Sequence, residues 1–113
     1  MALISITSIS RVGVLSTVAG AAATASVGDT FANDGNTFIE VLNGGGASIN
    51  VTITPVRTVD GQTPAAKVIA VAAAARAMIG PFAPADYNDA NGLVTFVCSA
   101  VTTVTAKALR PTL

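Results

Sequence analysis

The chain has 113 residues, with six basic and six acidic side chains that cancel to a formal charge of zero, no histidine and one cysteine. A chain of this length is expected to form a single domain, 1–113. Without histidine and with one cysteine, the composition excludes a zinc site, an iron–sulfur site and an internal disulfide. Six scattered basic residues provide no charged surface for nucleic acid.

The low charge content bears on how such a protein stays in solution. Hydrophobic residues make up 51% of the chain and charged residues 11%, against about 25% charged in an ordinary soluble domain. A monomer without net charge tends to associate, which favours a component of a larger assembly. A small threonine-rich soluble β domain fits the composition equally well.

The residue types also argue against catalysis. Without histidine, a general base near neutral pH requires a carboxylate with a strongly shifted pKa. The composition therefore favours a protein that is not an enzyme, that acts by contact, and that uses no cofactor and no small-molecule substrate.

The first 27 residues are predicted to form edge strands or an extended arm. Segments 3–9 and 12–19 are rich in residues that favour strands, and 19–27 consists mostly of small residues. An apolar stretch precedes Ala23-Thr24-Ala25 and imitates a signal peptide, but no basic residue comes before Arg11. We therefore expect no signal peptide.

No membrane span is expected either. The longest apolar run, 68–75, is far shorter than the roughly 20 residues that a spanning helix needs.

Residues 28–109 are predicted to form the core of the domain. Short runs of valine, isoleucine and threonine alternate there with turns, as in a sandwich or barrel. Glycine beside Asn or Asp supplies the positive φ that tight turns require. These turn signals are Asp34-Gly35-Asn36, Asn43-Gly44-Gly45-Gly46, Asp60-Gly61 and Asn91-Gly92.

The clearest strand is 47–54, where apolar residues alternate with serine, asparagine and threonine. The preceding run, 37–43, is predicted to pair with it as an antiparallel hairpin through the glycine-rich connection. The alanine-rich segment 65–78 favours helix by propensity. Because its apolar residues form no stripe, strands at 67–72 and 76–80 are preferred.

Two further strands are predicted at 93–99 and 101–109. Val94, Phe96 and Cys98 would share one face of the first strand; Val104, Ala106 and Ala108 would share one face of the second. The fold class is therefore all-β: a single-domain antiparallel β-sandwich or barrel, of the jelly-roll or immunoglobulin-like kind, with an N-terminal strand or arm.

The acidic residues have a structural explanation. A glycosidase would need two carboxylates about 5–10 Å apart in a cleft, whereas four of the six lie at turn-like positions, where capping of Asx turns accounts for them. Residues 86–92 could form a calcium loop, but they lack the spacing and the closing glutamate of an EF-hand. A plain turn is favoured, and a calcium site in this loop stays open.

Three other motifs have simple structural interpretations. Cys98 is expected to be a buried small hydrophobe, because a nucleophilic thiol would need a histidine partner. Asn50-Val51-Thr52 matches a glycosylation sequon but lies in the middle of a strand. Gly44-Gly45-Gly46 is not followed by a lysine or a helix, so it is a turn rather than a phosphate loop.

Four segments carry a resemblance to a known group of proteins. They are GDTFANDGNTFIEVLNGGGASINVTI at 28–53, VDG at 59–61, IGPF at 79–82 and YNDANGLV at 87–94. Together they resemble small virion proteins of tailed bacteriophages, and the resemblance covers about 28–109. In that group a hairpin-rich β domain with a glycine turn coats or cements the capsid shell.

The resemblance implies a capsid decoration or cement protein that binds the outer surface of the major capsid protein shell and stabilises the head. Its implied location is the virion, after assembly in the host cytoplasm, with self-association as a dimer or trimer. A neck or tail component of the same virion, or a bacterial surface β module, remains an alternative.

Contacts with the shell are expected from the N-terminal segment and from two loops. The predicted contact residues are Ile4, Ile6, Arg11, Leu15, Asn43, Gly44, Gly45, Tyr87 and Asn88.

Overall fold

The structure, a computed structural model, describes residues 2–13, 20–24, 28–58, 60–62 and 64–111. The described residues form ten strands and one four-residue helix. The strands are β1 (Ala2–Leu3), β2 (Ile6–Ile9), β3 (Ala21–Ala22), β4 (Asp29–Ala32), β5 (Phe38–Asn43), β6 (Ile49–Ile53), β7 (Lys67–Val71), β8 (Arg76–Ile79), β9 (Leu93–Cys98) and β10 (Val104–Pro111), and the helix is α1 (Pro84–Tyr87).

The strands build two sheets that pack face to face as a sandwich. Sheet A has the order β1-β4-β9-β6-β7, and sheet B has the order β2-β10-β5-β8, with β3 also paired to β10. Each sheet thus has four longer strands and one strand of two residues. The prediction of an all-β sandwich is confirmed.

The strand order is that of a jelly roll. From β3 onward, the described strands alternate between the sheets, apart from β6 and β7, which are neighbours in sheet A. This gives β4-β9-β6-β7 facing β3-β10-β5-β8, the eight-strand arrangement of two Greek keys. Of the two topologies left open by the sequence, the structure has the jelly roll.

The predicted hairpin between 37–43 and 47–54 is wrong. Both strands form, but β5 pairs with β10 and β8 in sheet B, whereas β6 pairs with β7 and β9 in sheet A. The connection 44–48 is long enough to cross the roughly 10 Å between packed sheets. Since both strands have an apolar face, the core lies between them and not to one side of a shared sheet.

The N-terminal segment provides edge strands to both sheets. The predicted strand 3–9 is split into β1, which pairs parallel with β4 of sheet A, and β2, which pairs parallel with β10 of sheet B. Between them Ile4 is 3% exposed and donates its N–H to the carbonyl of Thr30 at 2.7 Å. Of the predicted strand 12–19, residues 14–19 lie outside the described residues.

The core follows the alternation of the strands. The inward-facing residues of β9 and β10, predicted from period two, are all buried. Phe31 packs against Phe96 and Phe82, with ring centroids 6.0 and 5.7 Å apart. The strands at 67–71 and 76–79 confirm the preference for strand over helix in the alanine-rich segment.

Within the described part of the chain, no helix has the length and apolar character needed to cross a membrane.

Candidate contact surface

The connections between strands cluster at the two ends of the sandwich. Segments 44–48, 72–75 and 99–103 lie at one end, here called the glycine end. Segment 33–37, segment 80–92 with α1, and the described part of 54–66 lie at the opposite end, here called the helix end. The predicted contact residues in the two loops are therefore divided between opposite ends of the molecule.

At the glycine end, Asn43 is 1% exposed and holds three segments together. Its amide nitrogen donates to the carbonyls of Ala47, Val71 and Ala72 at 2.8, 3.2 and 3.3 Å, and its Oδ1 accepts from the Gly45 N–H at 3.1 Å. These bonds give Asn43 a structural role in closing this end of the sandwich.

Gly44 lies against the neighbouring loop. Its N–H donates to the Thr103 carbonyl at 3.0 Å, and a Cβ at this position would come within 2.9 Å of the same oxygen. Glycine is therefore required for a close backbone approach. The turn residues Gly44 and Gly45 connect strands of different sheets and are not the tip of a hairpin.

At the helix end, Asn33 and Asn88 bond reciprocally. The amide nitrogen of Asn33 donates to Asn88 Oδ1 at 2.8 Å and to the Phe82 carbonyl at 3.0 Å, and that of Asn88 donates to the Asn33 carbonyl at 2.9 Å. The Tyr87 ring packs edge-on against Phe82 with centroids 5.4 Å apart. Tyr87 and Asn88 thus connect the loops to the core and remain partly exposed.

Two shallow grooves flank this end. One, of about 220 Å³, is lined by Pro55, Arg57, Pro64, Ala65, Asp86 and Tyr87; the other, of about 280 Å³, lies by Phe38, Met78, Pro81 and Pro111. Arg57 forms an ion pair with Asp86 beside the first groove, with Nη1 3.0 Å from Oδ1.

Two of the acidic residues at turns, Asp34 and Asp89, accept backbone hydrogen bonds as their positions predict. Asp34 Oδ1 accepts from the Asn36 N–H at 2.9 Å, and Asp89 Oδ1 accepts from the N–H groups of Asn91 and Leu93 at 2.8 and 3.0 Å. The bonds from Asn36 and Asn91 are Asx-turn bonds. No cluster of three metal-ligating carboxylate, thiol or imidazole side chains occurs among the described residues.

Cys98 is buried at 5% exposure, facing the core. Burial raises the pKa of its thiol, and the negative charge of Asp29 raises it further. The thiolate is therefore disfavoured, which agrees with the expected role as a small hydrophobe.

The N-terminal contact residues differ in placement. Ile4 is in the core and Ile6 packs against it, so both side chains are used within the chain's own fold. Arg11 is exposed in a turn closed by a bond from the Gly13 N–H to the Ser10 carbonyl. Leu15 lies outside the described residues.

Among the described residues, the outer face of sheet A carries no charged side chain. Alternation and register place there Leu3, Ala32, Asn50, Thr52, Val68, Ala70, Leu93, Thr95 and Val97, together with Thr30, which is only 5% exposed. Every one of these side chains is a hydroxyl, an amide or an apolar group. Among them Leu3 and Val68 are 65% and 60% exposed.

The outer face of sheet B is built differently. Glu40 of β5 and Lys107 of β10 stand opposite each other in register, 3% and 6% exposed, with Glu40 Oε1 3.4 Å from Lys107 Nζ. Arg76 of β8 approaches the same oxygen at 2.8 Å. The charges on this face are paired, and two of the three are buried.

The amino-acid pattern alone does not single out the outer face of sheet A. A signal was present, because the polar positions of 47–54 are hydroxyl and amide residues without a charge. The lack of charge extends across a whole face only because the fold brings four other strands into the same sheet as β6.

Comparison with known proteins adds no relative: no family model, no curated protein and no solved structure matches this chain.

Proposed function

We propose that this protein is a bacteriophage capsid decoration protein that binds the outer surface of the major capsid protein shell and stabilises the head. The outer face of sheet A is the proposed contact surface. The observation that carries the proposal is that, among the residues the structure describes, no charged side chain lies on this face and the ion pairs lie elsewhere.

An uncharged face suits permanent docking on another protein. Burying a charge without a partner costs several kcal/mol in practice, whereas hydroxyls can exchange bonds with water for bonds with a partner. The threonines of this face are β-branched and stiff, so ordering them on binding costs little side-chain entropy.

The size of the face predicts weak binding by each copy. Five strands at about 4.8 Å spacing and about five residues at 3.4 Å rise give roughly 400 Å². A standard protein interface buries about 800 Å² on each partner. Stable attachment would therefore depend on many copies bound to a repeating shell, and on further contacts from the loops.

The fold is compatible with this role but does not select it. Jelly rolls occur in viral capsid proteins, lectins and cupins, so the topology supports the proposal only by analogy. The resemblance of 28–109 to small virion proteins points in the same direction.

Cryo-electron microscopy of the virion tests the proposal. We expect the protein in many copies over the outer shell, with sheet A facing the major capsid protein. Density restricted to the tail vertex would replace the proposal with a neck or tail role, and absence from the particle would reject both.

A variant sharpens the test. Asn50→Lys places a charge on the outer face of sheet A, at an exposed position, and is expected to lower shell occupancy. Met78→Lys, at an exposed position on the outer face of sheet B, is the matched control and should bind like the wild type. Equal loss of occupancy in both variants would show that sheet A is not the contact surface.

A further inference from the structure

The edge strand β7 has backbone groups that point away from the sheet. The Ser99 N–H donates to the Asn50 carbonyl at 2.8 Å and the Thr54 N–H to the Thr95 carbonyl at 3.2 Å, so the even-numbered residues of β6 bond toward β9. Its odd-numbered residues therefore bond toward β7. In the observed register they face Lys67, Ile69 and Val71, which leaves the N–H and C=O groups of Val68 and Ala70 directed outward.

This edge has little protection against pairing with another strand. Natural edge strands are usually blocked by proline, by a bulge or by charged residues. Over Lys67–Val71 the one such device is Lys67 at the first position, and Val68 is 60% exposed. The edge on the same side of sheet B, β8, is less suited, because it carries Arg76 and ends just before Gly80-Pro81.

We propose that a second copy of this chain pairs with β7, edge to edge and antiparallel, about a two-fold axis at Ile69. In this register Val68 lies opposite Ala70 of the second copy, and Ala70 lies opposite its Val68. Each such pair exchanges N–H···O bonds in both directions, using the backbone groups that point outward. The same patch serves both subunits, as a two-fold dimer requires.

Charge placement favours the antiparallel arrangement. Lys67 of each copy lies opposite Val71 of the other, so the two ammonium groups are about 14 Å apart along the strands, beyond the Debye length of about 8 Å at physiological salt. A parallel, in-register arrangement would instead put the two lysines side by side. The dimer joins the two copies of sheet A into one continuous uncharged face, and it does not depend on the proposed capsid role.

Sedimentation equilibrium of the purified full chain over a dilution series tests the dimer. We expect a mass about twice the 11.2 kDa of the monomer at high concentration. A monomer at every concentration would overturn the proposal.

Two double variants test the register. Val68→Lys with Ala70→Lys places like charges opposite each other across the proposed interface and should give a monomer. Val68→Lys with Ala70→Glu places opposite charges there and should restore the dimer. Equal masses for the two double variants would overturn the register. Asn50→Lys is the control, because it lies on the same face but one strand further in, and it should stay dimeric.

Proline substitutions test the backbone assignment. Ala70→Pro removes an outward N–H and should yield a folded monomer by circular dichroism and sedimentation, since proline is tolerated on an edge with its nitrogen facing solvent. Ile69→Pro removes a bond of the β6–β7 ladder and should destabilise the fold. If Ala70→Pro unfolds the chain as Ile69→Pro does, or if it remains a dimer, the proposal fails.

Discussion

The outer faces of sheets A and B differ in whether they carry charged side chains. Sheet B buries Glu40 and Lys107 near its centre, within reach of Arg76, while the described residues on the outer face of sheet A have only hydroxyl, amide and apolar side chains. Buried charges must be paired, which constrains sheet B to a defined arrangement. An exposed face without charge carries no such constraint and can be covered by another uncharged surface at little electrostatic cost. The comparison separates a face used for the fold from a face available for contact.

The largest effect should come from breaking the charge cluster of sheet B. We expect Glu40→Ala to lower the free energy of unfolding by about 3–5 kcal/mol, because the buried ammonium of Lys107 loses its carboxylate partner. Urea unfolding measures this change. The double variant Glu40→Met with Lys107→Met removes both charges and should recover most of the stability. A single-variant loss below about 1 kcal/mol would mean that the pair behaves as an exposed one.

Two asparagines are expected to differ in their contribution to stability, because Asn43 faces the interior and Asn50 lies on the outer face of sheet A. Asn43→Ala should cost about 1–3 kcal/mol, because it removes the bonds to three carbonyls at the glycine end. Asn50→Ala, at an exposed position on sheet A, should leave the thermal midpoint nearly unchanged. Similar losses in the two variants would contradict the structural role of Asn43.

A smaller, pH-dependent effect is expected at the helix end. The Asn36 N–H, more than the nearby Arg110 guanidinium, holds the pKa of the Asp34 carboxyl below its ordinary value of 3.8. Because the folded pKa is depressed, the stabilisation is present above pH 3.8 and is lost as the pH falls through the folded pKa.

Urea unfolding at a series of acidic pH values measures the contribution of Asp34. Asp34→Asn should show a shallower loss of stability toward acid than the wild type. Asn50→Ala, which removes no titratable group, should follow the wild-type curve, and identical acid curves for wild type and Asp34→Asn would contradict the assignment.

The smallest effect is expected on sheet A itself. Asn50→Lys should change the free energy of unfolding by no more than about 0.5 kcal/mol, because the side chain is exposed. Differential scanning calorimetry of Asn50→Lys and Glu40→Ala under the same conditions compares the loss of stability on the two faces. A large loss for Asn50→Lys would show that this face supports the fold as well as contact.

Particular residues show how far the amino-acid sequence predicts this structure. The alternation in β6 and β9 and the glycine turns located most strands to within a few residues, because side-chain direction along a strand is a local property. The contact residues were less predictable. Asn43 and Ile4 are buried, and which surface a residue meets depends on strands distant in the chain.

The amino-acid sequence by itself determined the all-β class, the positions of most strands, the Asx turns at Asp34 and Asp89, and the inward faces of β9 and β10. Only the tertiary structure decided that β5 and β6 lie in opposite sheets, that Glu40 meets Lys107, and that the uncharged positions of five strands form one face. The division has a physical reason: periodicity and turn conformation arise from neighbouring residues, whereas strand pairing is settled by how the whole chain buries its apolar faces.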